Sequence, residues 1–178
     1  MNETKLTKPL QLTEAIHQVH PIDNLRDLLD ISFKKYPNND AFRYKDKTTG
    51  NIISKTYEDV KHDVDSLGTA MLNDNLKNEK IMVISNNRYE WCITYLATVN
   101  GVGTIIPIDR ELPNDEIITL VNKSEPSVVF LEGKFLDLFK SLKEQKVGVI
   151  KKIVCFDLEE NQKEEDVLDF WDLISKRK

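Results

Sequence analysis

Three short apolar segments, separated by two amphipathic segments, dominate the middle of the chain. They read IMVIS, TIIPI and SVVFL and lie between Lys80 and Leu131. Apolar runs of this length, bounded by turn residues, are typical of strands buried on both faces of a parallel sheet. The order strand, helix, strand, helix, strand predicts two right-handed βαβ units. Because open parallel sheets bind ligands at the carboxyl ends of their strands, the pattern also predicts where a site lies.

The residues before this region predict two helices and a hairpin. Asn24 begins a helix that Pro37 ends, and AFRYK and IISKT predict two short strands around the polar turn 46–51. Thr56, with Asp59 three residues later, begins a second helix. The first helix carries an apolar stripe at helical spacing: Leu25, Leu28, Leu29, Phe33 and Tyr36.

Further elements follow within and after the apolar segments. Asn87 and Glu90 form an N-x-x-E signal that predicts a helix start, and KIVCF predicts a fourth parallel strand. The helix after Asn87 is expected to pack through one face, made of Trp91, Tyr95, Thr98, Val99 and Val102. A final amphipathic turn or two is expected from Val167, Phe170, Trp171 and Ile174.

These elements predict an α/β fold, with a mostly parallel sheet, helices on both faces and a small N-terminal β-hairpin. The chain has 178 residues, enough for one domain with a sound core. Residues 1–22 are polar and are expected to be loosely ordered, and residues 23–178 are expected to form a single α/β domain.

Composition excludes several classes of partner. The chain has 25 basic and 30 acidic residues, a net charge of −5, which argues against nucleic acid or an anionic membrane as a partner. No apolar run approaches the roughly 20 residues that span a bilayer. The N-terminus lacks the apolar core of a signal peptide, and Cys92 and Cys155 are expected to be buried thiols rather than a disulfide. A cytoplasmic location is therefore expected.

The chain carries no recognisable catalytic motif. Gly101 and Gly103 precede a strand, whereas the glycines of a phosphate-binding GxGxxG follow one, so they are expected to end a helix and form a turn. His17 and His20 have an HxxH spacing without a third ligand cluster, so no metal site is predicted. No catalytic residue is assigned.

One candidate binding site remains, at the edge where the parallel strands end. Arg88, Arg110 and Lys134 fall in or beside the loops that follow the first three of these strands. Three basic groups on one edge can bind a phosphate-bearing ligand. The alternative is that they are ordinary surface charges.

Several segments together resemble the adenylate-forming acyl-CoA synthetases, and most closely the long-chain fatty acid–CoA ligase branch. The segments are NLRDLLDISFKKYPNNDAF, TYEDV, SNNRYEW, TVNGVGTIIPID and LPNDEIITLVNKSEPSVVFLE. Members commonly show T-Y-x-E-L, S-x-N-x-x-E-W and a K-A-G-A-x-x-V-P-I-D-like sequence at the corresponding places. The similarity is distributed over residues 24–175.

The resemblance implies a two-step ligation in the full-length enzyme. A fatty acid or other carboxylate attacks the α-phosphate of ATP with Mg²⁺, and coenzyme A then displaces AMP from the acyl-adenylate. The family's Ser/Thr/Gly-rich phosphate loop and its C-terminal lysine domain have no counterpart here, so the resemblance implies an N-terminal portion that is inactive alone. In some relatives a glycine-containing loop at this sheet edge approaches coenzyme A. The loop here, 109–111, lacks those glycines, so Arg110 and Lys134 are candidates on charge alone.

Two other functions are compatible with the sequence. The chain could be a standalone α/β module that binds a nucleotide or coenzyme A without chemistry, or an interaction domain that pairs with a full-length synthetase. If it is a portion of a larger enzyme, its uncovered apolar surface and open sheet edges favour a homodimer or a larger assembly.

Overall fold

The computed structural model describes residues 20–46, 49–159, 162–164 and 166–175, and the structural statements below refer to them. The helices are α1 (Leu25–Lys35), α2 (Tyr57–Asn73), α3 (Tyr89–Ala97), α4 (Asn114–Ser124), α5 (Leu136–Glu144) and α6 (Phe170–Ser175). The strands are β1 (Asp40–Lys45), β2 (Ile52–Thr56), β3 (Lys80–Ile84), β4 (Thr104–Ile108), β5 (Val128–Leu131), β6 (Lys152–Cys155) and β7 (Val167–Asp169).

The strands form two sheets, which confirms the predicted α/β class. β1 and β2 pair as an antiparallel hairpin, and the other five strands form a parallel sheet in the order β4-β3-β5-β6-β7. The chain moves from β3 to one neighbour, β4, and then returns across β3 to the other neighbour, β5. With right-handed crossovers, this reversal places α3 and α4 on opposite faces of the sheet.

Alternate residues of the central strands supply two cores. One face of the sheet packs against α2, α3 and α6 through Ile81, Val83, Val128, Phe130 and Val154. The other face packs against α4 and α5 through Met82, Ile84, Val129, Leu131 and Ile153. Strands covered on both faces are apolar at nearly every position, which is why β3, β5 and β6 read as almost continuous apolar runs.

Two of the predicted helix starts have the expected geometry. The Asn24 side chain accepts a hydrogen bond from the Asp27 N–H, and Thr56 and Asp59 form a reciprocal capping box. The wide turn after α3, Thr98–Val102, includes Gly101 at φ +127°, a conformation that favours glycine. The prediction that the glycines here end a helix is confirmed.

The expectation for α3 was wrong in two respects. The residue that precedes its first turn is Arg88 rather than Asn87, and no side chain caps that turn. The buried residues of α3 are Tyr89, Ile93, Thr94 and Ala97, whereas Trp91 and Tyr95 are half-buried. Thr98 and Val102 are buried as expected. Apolar residues occupy several faces of this helix, so spacing alone did not identify the packed face.

Two further expectations need correction. The segment from Val167 begins with a short strand, β7, rather than with a helix, and β7 extends the sheet beyond β6. In α1, only Leu29 of the predicted stripe is buried, and Leu25, Leu28 and Tyr36 are 41%, 42% and 47% exposed. α1 lies against α2 at the margin of the domain, and so much of its apolar stripe is uncovered.

The predicted loosely ordered segment, 1–22, lies almost wholly outside the described residues, as does His17. His20 is described, and its Nε2 lies 3.0 Å from Lys35 Nζ. Among the described residues, no three His, Cys, Asp or Glu side chains cluster as metal ligands. In the same part of the chain, no helix combines the length and the apolar character needed to cross a membrane.

Candidate functional site

Four loops meet at the edge of the sheet where the parallel strands end. β3 ends at Ile84, β4 at Ile108, β5 at Leu131 and β6 at Cys155, and each strand pairs with its neighbour in register. The connections that leave β3 and β5 turn to opposite faces of the sheet, which opens a crevice between their ends. This is where doubly wound folds bind ligands. The structure therefore brings Arg88, Arg110 and Lys134 to one edge, as predicted.

Arg88 is held in a network of carboxylates. Its Nε and Nη2 donate to the two oxygens of Glu90 at 2.8 and 3.1 Å, and its Nη1 donates to Asp157 Oδ2 at 3.1 Å. The guanidinium lies 5.3 Å from the centre of the Phe156 ring. Burial disfavours the charge, but hydrogen bonds to Glu90 and the Asp157 charge outweigh it and raise the pKa of Arg88. All three nitrogens are engaged, so Arg88 holds loops together in this structure.

Carboxylates also occupy backbone donors of the crevice. Glu132, directly after β5, accepts the Asn86 N–H at 3.2 Å across the gap between β3 and β5. Asp157, after β6, accepts the Gly133 N–H at 2.7 Å. Backbone N–H groups of this kind bind phosphate in many α/β proteins. Here the chain's own side chains satisfy them.

Arg110 is less firmly held than Arg88. Its Nε donates to Glu111 Oε1 at 2.6 Å, and its Nη1 lies 3.8 Å from Glu132 Oε2. The Glu111 side chain is 73% exposed, and an ion pair with such an exposed partner contributes little free energy. The Arg110 guanidinium is therefore only weakly held by Glu111.

Lys134 is exposed, and its ammonium lies 4.5 Å from the centre of the Phe135 ring. It makes no ion pair with another described residue. Of the three candidates, Lys134 is the one whose charge is unpaired within the described part of the chain.

A cavity of about 540 Å³ opens beside Arg110, between the loops after β3 and β4. Ser85, Asn86, Trp91 and Pro107 line it together with Arg110. The Asn86 Oδ1 is buried and has no hydrogen-bond partner among the described residues. The cavity therefore offers an aromatic ring and a cation at the predicted edge, beside the acidic residues Asp109 and Glu111.

Neither cysteine in the described part of the chain is a reactive nucleophile. Burial raises the pKa of the Cys155 thiol to about 11 and also raises that of Cys92, so both stay protonated at neutral pH. The arrangement can bind and orient a ligand, and it assigns no bond-making step to this chain.

Sequence reasoning missed the carboxylates of this edge. A signal was present, because an acidic residue directly follows β4 and β5 and another follows β6 after one residue: Asp109, Glu132 and Asp157. At the ends of parallel strands, these acids had to lie on the same edge as the basic residues.

Comparison with known proteins identifies the family. A family model described as AMP-binding enzyme matches residues 29–175. The chain belongs to the AMP-binding enzyme family. This confirms the resemblance to adenylate-forming acyl-CoA synthetases that the sequence segments indicated.

Individual relatives show how much of their own length the chain matches. Long chain acyl-CoA synthetase 4 of Arabidopsis thaliana is 29% identical to this chain in an alignment 154 residues long, which covers 83% of this chain and 23% of that protein. The anthranilate–CoA ligase AuaEII, solved with anthranoyl-AMP, matches with a TM-score of 0.72 at 19% identity over 86% of this chain and 28% of its own. Coronafacic acid ligase from Pectobacterium brasiliense matches with a TM-score of 0.74 at 17% identity, over 85% and 29%.

These comparisons set the scale of the similarity. The two solved structures share the fold with this AMP-binding family member. The chain spans about a quarter of the length of the Arabidopsis synthetase.

Proposed function

We propose that this chain is the N-terminal part of an AMP-forming ligase that joins a fatty acid to coenzyme A. The match to the AMP-binding family over residues 29–175 carries the proposal. The similarity to a long chain acyl-CoA synthetase supports a fatty acid as the carboxylate. Residues 23–178 would form one domain along the active-site cleft. A cytoplasmic location accompanies the proposal, because both cysteines are free thiols.

The proposal assigns binding rather than chemistry to these residues. When bound, ATP and Mg²⁺ supply the phosphoryl chemistry of such ligases, and no described cluster of this chain is proposed to hold the metal. Arg110 and Lys134 fit the phosphates of coenzyme A, since one has an exchangeable partner and the other is unpaired among the described residues. Arg88 would hold the loops in position.

An exchange assay tests the ligase proposal. We expect the purified 178-residue chain to show no fatty acid-dependent exchange of pyrophosphate into ATP. The Arabidopsis synthetase, assayed in parallel, serves as the positive control. Measurable exchange by the chain alone would show that it holds a complete adenylation site, contrary to the proposal.

A second candidate function is a module that binds coenzyme A or a nucleotide without catalysis. The cavity beside Arg110 is the observation that favours it. Calorimetric titration with coenzyme A and with ATP separates the two candidates. A module should bind with micromolar affinity on its own, whereas in a ligase part Arg110 and Lys134 supply only some of the contacts, so the isolated chain should show no micromolar binding. For a module, Arg110→Ala and Lys134→Ala should weaken binding. Lys151→Ala is the control, because Lys151 pairs with Glu79 at the opposite edge of the sheet.

We also propose that the chain self-associates as a homodimer or a larger assembly. The exposed apolar side chains of α1 and the outer strands β4 and β7, each paired on one side within the described sheet, support this.

A further inference from the structure

Two hydrogen-bond donors from different loops converge on the carboxylate of Asp157. Arg88 Nη1, from the loop before α3, donates to Oδ2 at 3.1 Å. The backbone N–H of Gly133, from the loop after β5, donates to Oδ1 at 2.7 Å. Asp157 itself belongs to the loop after β6. One carboxylate thus joins three loops at the crevice, with a separate donor for each oxygen.

The two donors are held in place by contacts that do not involve Asp157. Glu90 fixes the Arg88 guanidinium through Nε and Nη2, Phe156 lies beneath it, and the Arg88 side chain is only 19% exposed. Gly133 is fixed by the short 3₁₀ turn, Gly133–Phe135, that leads into α5. The donors should therefore keep their positions when Asp157 moves away.

Asp157 is held less firmly than the donors that it contacts. Its side chain is 42% exposed, and its other hydrogen bond within the described residues is a weak one from the Cys155 thiol, whose Sγ lies 3.7 Å from Oδ1. A Cβ atom at Gly133 would lie 3.3 Å from Asp157 Oδ1, so a glycine at this position leaves the room that an oxygen needs beside the N–H.

We propose that Arg88 Nη1 and the Gly133 N–H form an anion-binding site that Asp157 fills in this structure. A phosphate group, either inorganic or as a monoester, would take the place of the carboxylate. Two of its oxygens would accept the bonds that Oδ1 and Oδ2 accept now, and Asp157 would turn out to solvent. A guanidinium N–H and a backbone N–H are both donors that phosphate oxygens accept in proteins. This site is separate from Arg110 and does not depend on the proposed ligase function.

Replacing Asp157 by alanine tests the site, with inorganic phosphate as the probe. Asp157→Ala removes the internal anion and leaves both donors. We expect its melting temperature to rise with phosphate in a saturable way at constant ionic strength, at least about threefold more than that of the wild type. Calorimetry should detect phosphate binding to the variant, and the double variant Asp157→Ala/Arg88→Ala should lose it.

The control is Asp74→Ala, which removes a carboxylate paired with Lys152 at 2.7 Å at the other edge of the sheet. It reports the general stabilisation of proteins by phosphate. If phosphate raised the melting temperatures of Asp157→Ala and Asp74→Ala equally, the proposal would be overturned. It would also be overturned if Asp157→Ala folded but showed no saturable phosphate binding. If the alanine variant does not fold, Asp157→Ser replaces it, because the shorter side chain carries no charge and cannot reach both donors, and the same comparison with Asp74→Ala applies.

Discussion

Two adjacent residues at the start of α3, Arg88 and Tyr89, have different structural roles. Arg88 points to the sheet edge, whereas Tyr89 is buried and donates a hydrogen bond from its hydroxyl to Asp63 at 2.8 Å. The Tyr89 ring stacks against Tyr44 and Trp171, with centroids 5.8 and 6.2 Å away. Burial and the Asp63 carboxylate raise the pKa of Tyr89. The hydroxyl therefore stays protonated and ties the hairpin, α2, α3 and α6 together.

Removing the Tyr89 hydroxyl should lower the free energy of unfolding. Tyr89→Phe leaves Asp63, whose side chain is 10% exposed, with one fewer donor, and we expect a loss of about 1.5–3 kcal/mol of unfolding free energy in urea titrations. Tyr95→Phe is the control, since the Tyr95 ring stacks on Trp91 and its hydroxyl contacts no described carboxylate. Equal losses for the two variants would contradict this role of Asp63.

The position of the candidate site could be predicted from single residues, but its electrostatic state could not. Arg88, Arg110 and Lys134 follow strands, and parallel strands bring such residues to one edge. The pairing of Arg88 with Asp157 joins positions 69 residues apart, and only the order of β3, β5 and β6 makes them neighbours. Glu90 lies two residues from Arg88, yet the direction of its side chain depends on where α3 begins.

At the scale of the element, the start of α2 depends on a charged cap. Asp59 Oδ2 accepts hydrogen bonds from the Thr56 N–H and hydroxyl at 2.8 and 2.9 Å. The backbone hydrogen bond is the largest cause and lowers the pKa of Asp59; partial burial opposes this shift, and the hydroxyl bond adds to it. A lowered pKa in the folded state means that the carboxylate adds stability above its unfolded pKa, about 3.9, and loses it as the pH falls through the folded value.

Asp59→Asn should therefore show a pH-dependent effect. We expect the variant to lose about 1 kcal/mol of stability at pH 7. The difference from the wild type should shrink below about pH 4, where the wild-type carboxylate takes up its proton. Glu58→Gln, at an exposed acid in the same turn, is the control for the helix dipole. A difference that does not change with pH would exclude the charge as its cause.

Two glycines near the α2–α3 contact should respond oppositely to alanine. At Gly68, inside α2, a Cβ would lie 3.7 Å from Val102 Cγ2, an ordinary contact, so the better helix former should add roughly 0.5–1 kcal/mol. At Gly103 a Cβ would lie 2.2 Å from the Glu79 carbonyl oxygen, so β4 would have to shift, at a cost of roughly 1–3 kcal/mol or more. Thermal melts of both variants test this, and stabilisation by Gly103→Ala would show that the approach of the two backbones is not tight.

Most elements could be predicted from the sequence, and the failures have physical reasons. β3 to β6 are apolar runs between turn residues, a signal that packing on both faces makes strong. β7 has only the residues Val167–Asp169 and continues directly into α6, so its spacing resembled a helix. Backbone pairing with β6 decided the outcome, and it leaves no local pattern in so short a strand.

At the scale of the whole molecule, two cores share one sheet while part of the apolar surface stays uncovered. α1 exposes Leu25 and Leu28 beside a groove of about 300 Å³, lined also by Phe42, Val60 and Leu96. The domain therefore combines a well-packed interior with an exposed apolar surface on α1.

The exposed apolar surface of α1 predicts that the chain self-associates in solution. We expect light scattering to show a dimer or larger species, and we expect Leu28→Asp to shift it toward the monomer. Leu72→Asp is a matched control, because Leu72 is 43% exposed, close to the 42% of Leu28, but does not line the groove. A wild-type chain that stays monomeric at high concentration would contradict the expectation.

The strand order also has a consequence for folding during translation. β3 is the first strand of the parallel sheet to leave the ribosome. β4 can then add to one side of β3 and β5 to the other, after which β6 joins β5 and β7 joins β6. Each new strand meets a free edge that already exists, and no strand has to insert between two others. The sheet can therefore grow in the order of translation, while later residues are still being made.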